Sequence, residues 1–134
     1  MNRISAGLLI LSITMIACNQ QAPVNKKDPL ESARGFIESS LQGDYGGAKQ
    51  YLLTDSTNTQ YFEGFKEFYN KQNETEKEGY RNADIIIDSM QKVSDSVTIV
   101  YYANTFKKKQ SKLKMVKQGN DWLVDFKYTF QNNQ

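Results

Sequence analysis

The chain has no histidine, one cysteine and two prolines among its 134 residues. Without histidine, the commonest general base and the commonest metal ligand are both missing. Ser-His-Asp and Cys-His arrangements are excluded, and a zinc site would have to be built from carboxylates alone. The single cysteine, Cys18, cannot form a disulfide within the chain, so the fold must stand without one. Charge of one sign is scarce too: 17 basic against 15 acidic residues leave a formal +2. Nucleic-acid-binding domains carry a marked basic excess, so no nucleic acid is expected as a partner. No apolar run reaches the about 20 residues that a membrane-spanning helix needs. What the chain has in quantity is aromatic: eight Tyr, seven Phe and one Trp. Its length supports one domain, and about 100 residues bury enough surface to fold unaided.

The longest largely apolar run, Ile4 to Ile16, follows the positive Arg3 and precedes Met15-Ile16-Ala17-Cys18. Charge order and length are those of a secretory signal peptide. The last four residues resemble the bacterial lipobox: an aliphatic position, a variable one, a small one, then cysteine. That resemblance implies a lipoprotein signal over residues 1–17, with diacylglycerol on the Cys18 sulfur and often a third acyl chain on its new amine. Two or more acyl chains hold a protein firmly on a membrane. The alternative is an ordinary secretory signal that leaves Cys18 a free thiol. Asn19 stands where an Asp would favour inner-membrane retention, so the expected location is the cell envelope, on the outer membrane facing the periplasm. Residues 19–28, NQQAPVNKKD, are polar and aperiodic. Positions 18–28 therefore read as lipidated cysteine plus flexible tether, 29–130 as the domain, and 131–134 as a polar tail.

Within the domain, Asp28-Pro29 opens a helix whose apolar face is Leu30, Ala33, Phe36, Ile37 and Leu41. Asp44 caps a second, weakened by Gly46 and Gly47. A third is expected from about Thr59 to Lys71, with Tyr61, Phe62, Phe65, Phe68 and Tyr69 in one aromatic stripe. Residues 63–79, of mixed charge, read as a solvated helix end and loop. The period then changes to alternation. Strands are expected over 84–93, 97–106, 112–117 and 122–130, with Gly119-Asn120 as the last turn. In that register Met115 faces Val124, Leu113 faces Phe126 and Lys114 faces Asp125, an apolar face backed by a charge pair.

The pattern predicts an α+β fold: three N-terminal helices on one curved four-stranded antiparallel sheet. It is similar to the nuclear transport factor 2-like (cystatin-like) cone, where a sheet wraps a helix and leaves a pocket at its wide end. A narrower resemblance rests on Phe36, Gly43, Asp44, Tyr45 and Ala48, then on Leu113, Val116, Lys117, Trp122, Val124 and Asp125. These residues look like those of small bacterial lipoproteins with a DUF4878-type domain of unknown function. The spacing between Gly119 and Trp122 is one residue longer than in that family. The resemblance implies a fold and brings no catalytic residue and no cofactor.

Candidate binding residues are Tyr61, Phe65 and Tyr69 on the third helix, with Tyr101, Trp122 and Tyr128 on the strands. They could line a pocket for a small apolar ligand, since such pockets are largely apolar with a few polar tips. The plain alternative is a packed core. The resemblance implies that an enzymatic member would place an Asp-His or Tyr-Asp pair in the pocket; with no histidine, the pair would be Asp84 or Asp88 with Tyr101 or Tyr102. Strand two is apolar on both faces, which would suit a covering element, a central position or a homodimer through the open sheet. Lys107, Lys108, Lys109, Lys112 and Lys114 could meet anionic lipid headgroups or simply solvate a hairpin tip. Three functions follow: a non-enzymatic binding domain, an envelope enzyme, or an assembly subunit.

Overall fold

Among the described residues four α-helices come first: α1 Pro29–Leu41, α2 Tyr45–Lys49, α3 Ser56–Asn70 and α4 Glu74–Arg81. The strands β1 Ile85–Ser94, β2 Val97–Asn104, β3 Ser111–Gln118 and β4 Asp121–Asp125 follow, and a 3-10 helix, Phe126–Thr129, ends the fold. The computed structural model describes residues 23–131, so Cys18, the signal segment, residues 19–22 and residues 132–134 lie outside the described residues. The sheet is antiparallel throughout, in the order β1-β2-β3-β4.

Each helix starts on a short polar side chain that accepts the N–H groups left free in the first turn. Asp28 accepts from Leu30 at 2.9 Å and Glu31 at 3.0 Å. Asp44 accepts from Gly47 at 2.9 Å. Its carboxylate fills the space that a Cβ at position 47 would need, so the glycine that weakens α2 also lets it be capped. Gly43 takes φ +74° between α1 and α2, a left-handed turn that glycine adopts without strain.

Two expectations are corrected. The described part of the domain has four α-helices, not three: Asn73 caps α4, accepting from Glu76 at 2.9 Å, within the stretch read as solvated helix end and loop. α4 buries no residue fully. It is held by the Arg81–Glu74 pair, by Lys107 Nζ on Glu76 at 2.7 Å, and by the Tyr80 ring against Phe106. The second correction is to the last strand, which ends at Asp125 rather than Phe130.

α1 lies across all four strands, α2 packs on α1, and the main partner of α3 is the 3-10 helix. On the inner sheet face Val100 pairs with Leu113 and Met115 with Val124, and all four are fully buried. Each contributes about 1.5–3 kcal/mol of hydrophobic stabilisation. Phe36 of α1 is the hub between layers, its ring 5.3 Å from Phe126 and 6.1 Å from Phe62.

The outer face of β2 is covered without a second layer. Ile99, 4% exposed, stands between Gln91 and Lys114 in the register. The Tyr101 hydroxyl reaches along the sheet to Gln91 Oε1 at 3.4 Å. Long polar side chains thus screen apolar surface that the pattern left unexplained. β4 is closed at its edge as well. Val124 N donates to Tyr51 O at 2.8 Å, Leu53 N to Val124 O at 2.9 Å, and Trp122 N to Lys26 O at 2.7 Å. The described end of the expected tether is therefore docked on the sheet, with Lys27 Nζ on Asp121 at 2.7 Å.

Candidate functional site

Between the helices and the inner sheet face lies an apolar cavity of about 180 Å³. α1 supplies Phe36, Ile37 and Leu41, α3 supplies Phe65, Phe68 and Tyr69, and Tyr80 closes the α4 side. Phe126 and Phe130 form the roof. Ser40 of α1 is turned away from service here, its hydroxyl donating to Phe36 O at 2.7 Å. Besides the phenols of Tyr69 and Tyr80 on the helix side, the polar groups lie on the sheet side: the Tyr102 hydroxyl, Ser111 and Thr129. Burial raises the Tyr102 pKa, and its hydrogen bond with Ser111 partly offsets that. Thr129 Oγ1 donates to Lys112 O at 2.8 Å.

Phe130 is the residue on which the surrounding surface turns. It is 41% exposed, stacks on Tyr61 at 5.1 Å and 6°, and meets Phe126 edge-on at 5.1 Å. On its α3 side lies an open groove of about 760 Å³ lined by Tyr61, Gly64, Phe65 and Phe68. On its β3 side lies a groove of about 410 Å³ lined by Tyr101, Lys109, Gln110, Ser111, Lys112 and Thr129. All three spaces share Phe130 as a wall.

The roof is positioned by a buried polar cluster. Asn58 of α3, fully buried, donates from Nδ2 to Asp55 Oδ2 at 2.8 Å and to Asp125 Oδ1 at 3.0 Å. Its Oδ1 accepts from Lys127 N at 2.8 Å. Lys127 Nζ reaches Asp125 at 2.6 Å and Asp55 at 3.3 Å. The Asn58 backbone N–H is the largest influence holding the Asp55 carboxyl below its usual range, and Lys127 adds to it. Lys127 is held above its ordinary value, first by its hydrogen bond with Asp125. The cluster ties the start of the 3-10 helix to the start of α3, which sets Phe126 and Phe130 over the cavity.

Comparison with protein-family models, with curated proteins and with solved structures finds no match.

The six residues singled out from sequence separate into three places. Tyr61, Phe65 and Tyr69 lie together along the cavity and its α3 groove. Tyr101 and Tyr128 lie on the outer side, Tyr128 beneath the Lys112 ammonium at 5.0 Å. Trp122 is a core side chain at the far end of β4, where its carbonyl accepts from Ser32 Oγ at 2.6 Å. Sequence reasoning missed Ser111, Thr129 and the roofing role of Phe130. The first two are small hydroxyl residues without periodic signal, and Phe130 carried a signal that belonged to a strand.

The Tyr-Asp pairs do not meet. The Tyr101 hydroxyl goes to Gln91, Tyr102 to Ser111, and Asp88 Oδ2 accepts from Gln110 Nε2 at 3.2 Å. Among the described residues no group of three acidic or cysteine side chains is placed to hold a metal ion. No helix among them is long and apolar enough to cross a membrane. Two hydroxyls, those of Tyr45 and Tyr69, are buried without a hydrogen-bond partner. Arg81 lies near enough to Tyr69 for its charge to be felt, though no well-formed bond joins them. The Tyr45 pKa is pushed far above the phenol range, chiefly by burial and then by Tyr69 and Tyr80.

Proposed function

We propose that this chain is a cell-envelope lipoprotein, anchored through lipid on Cys18, whose domain binds a small apolar ligand without catalysing a reaction. The observation that carries the binding half is the apolar cavity of about 180 Å³ between α1, α3 and the sheet. An apolar cavity of roughly 150 Å³ accommodates a benzene-sized molecule. The anchoring half rests on the lipobox-like Met15-Ile16-Ala17-Cys18 and places the domain at the outer membrane, facing the periplasm.

The nuclear transport factor 2-like, DUF4878-type assignment belongs to the same proposal. It is supported by one helix lying across an antiparallel sheet and by irregularities in β1 at Ile87/Ser89 and Lys92/Ser94 that bend such a strand. The rival readings lack a carrying contact. The Asp88 carboxylate is met by Gln110 rather than by a tyrosine hydroxyl, and Ile99 on the outer face is already screened.

Native mass spectrometry of the chain purified from its own host tests both halves. The expected result is an acylated N-terminal Cys18 and a retained small mass that leaves on gentle activation. A chain starting elsewhere, or an unmodified Cys18, sinks the anchor. A chain with no added mass, and no thermal shift with any of a panel of small aromatic and alkyl compounds, sinks the binding.

A further inference from the structure

The apolar cavity is not polar-tipped at random. On the wall at the start of β3 it carries the hydroxyls of Tyr102, Ser111 and Thr129, while Tyr69 and Tyr80 belong to the helix side and Ser40 turns its hydroxyl back to Phe36 O. Ser111 and Thr129 also line the β3 groove outside, so the polar wall of the cavity is continuous with the inner end of that groove. The groove's two cations are Lys109 and Lys112.

The ion pairing around these lysines is uneven. Lys107 is taken by Glu76 at 2.7 Å, and Lys114 faces Asp125 at 3.6 Å. Among the described residues neither Lys109 nor Lys112 has a carboxylate within ion-pair reach. Lys112 instead holds its ammonium over the Tyr128 ring at 5.0 Å. Asp88 accepts from the groove residue Gln110 at 3.2 Å and from neither lysine. From the inside outward the order is therefore hydrocarbon, hydroxyl, uncompensated cation.

We propose that the ligand of this cavity is a small organic anion: one carboxylate on a short alkyl chain or a single aromatic ring. This deepens the proposed apolar binding and rests on it. The hydrophobic end occupies the space between Phe36, Ile37, Leu41 and Phe65, which has room for one ring or a chain of comparable bulk. The carboxylate lies at the Ser111 end, where the Tyr102 and Ser111 hydroxyls and the Lys109 and Lys112 ammonium groups compensate its charge; the Thr129 hydroxyl is committed to Lys112 O. A neutral analogue keeps the burial and loses the charge-assisted contacts. A cationic analogue meets like charge.

The test uses the full chain in phosphatidylcholine nanodiscs, with empty nanodiscs as the partition control. A diazirine-bearing octanoate is photo-crosslinked and its site mapped by peptide mass spectrometry. Octanoate, octanol and octylamine then compete. Crosslinks are expected in peptides from α1, α3 and residues 126–131, with octanoate competing about tenfold better than octanol, the worth of one charge-assisted contact. Octylamine should compete least. The Lys109→Gln/Lys112→Gln variant, checked for an unchanged melting temperature, should bring octanoate down to the level of octanol. Equal competition by octanol against the parent chain overturns the anion assignment and leaves the apolar cavity intact. A preference for octanoate that survives the double variant overturns the placement of its carboxylate. Absence of crosslinks in the cavity peptides overturns the cavity reading itself, and this inference with it.

Discussion

Replacing Asn58 with alanine removes three side-chain hydrogen bonds from a position with no solvent exposure. Two of them are donated to the carboxylates of Asp55 and Asp125, and one is accepted from the Lys127 backbone N–H. Bonds to charged groups contribute about 1.5–3 kcal/mol and neutral ones about 0.5–1.5 kcal/mol. Their simple sum overstates the loss, because Lys127 Nζ remains at 2.6 Å from Asp125 and 3.3 Å from Asp55. What is left uncompensated is the Lys127 N–H and one donor to buried Asp125. Asn58→Ala should therefore cost about 2–4 kcal/mol. Urea denaturation followed by fluorescence measures it cleanly, since Trp122 is the only tryptophan and is buried. Asn58→Asp supplies a sharper arm. It loses the same donors and adds a third carboxylate beside two others, so it should fall below the alanine variant at neutral pH. Burial beside two carboxylates raises the pKa of the new group, so acidification should close that gap beginning above the ordinary carboxylate range of about pH 4. A loss under about 1 kcal/mol for alanine would refute the reasoning, because a fully buried group with three partners cannot be removed so cheaply.

Three further outcomes follow from the same packing. In α3, a Cβ on Gly64 would meet nothing, so Gly64→Ala should stabilise by about 0.5–1 kcal/mol through helix propensity. In α4, a Cβ on Gly79 would enter the Phe106 ring, which is already held by Tyr80 and Lys107, so Gly79→Ala should destabilise by about 1–3 kcal/mol; melting temperatures of the pair check both signs. Phe62→Ala empties a site ringed by Phe36, Tyr45 and Phe126 and should cost about 3–5 kcal/mol in the same urea assay. Stability against pH should be a plateau, since no histidine titrates between the carboxylates and the phenols. Asp55, Glu74 and Asp121 have depressed pKa values in the fold, so their contribution is present above about pH 4 and lost as pH falls through the folded values. Tyr45, Tyr102 and Lys127 are raised, so their contribution is present below about pH 10 and lost as pH rises through the folded values. A transition near pH 6–7 in equilibrium unfolding would contradict this assignment of groups.

Much of the scaffold was legible because its signals are local. Asp28 and Asp44 cap helices where short acidic residues precede helical patterns. The last hairpin keeps the expected register, Lys114 opposite Asp125 and Met115 opposite Val124, because a one-residue slip would reverse every side chain. α4 was not legible, since ETEKEGYR has no apolar stripe and is held to the sheet by the Lys107–Glu76 ion pair, 31 positions apart, and by the Tyr80 ring on Phe106. The candidate site was half legible. The aromatic spacing of α3 points to Tyr61, Phe65 and Tyr69 as one surface. Nothing in the spacing shows that Tyr101 and Trp122 sit on opposite sides of the sheet from each other, since that follows from pairing across three strands.

The false end of β4 explains why periodicity reaches its limit at the site. Trp122, Val124, Phe126, Tyr128 and Phe130 alternate as a strand should, and the pairing with β3 holds as far as Lys114. Continuing would have kept Phe126 opposite Leu113 and left Asp125 on a wet outer face. Instead Asp125 is buried against Asn58 and Lys127, and Lys127 N–H turns to Asn58 Oδ1 rather than to β3. That exchange replaces a ladder bond with a bond to α3, a partner 69 positions earlier in the chain. The backbone then tightens into the 3-10 helix and carries Phe126 inward to Phe36, Phe62 and Phe65. Phe130 lands on Tyr61 and closes the cavity instead of extending the sheet. The cavity therefore exists because the strand stops. The residue that stops it, Asn58, has the composition of a loop and the position of a keystone, which no alternation of polar and apolar residues encodes.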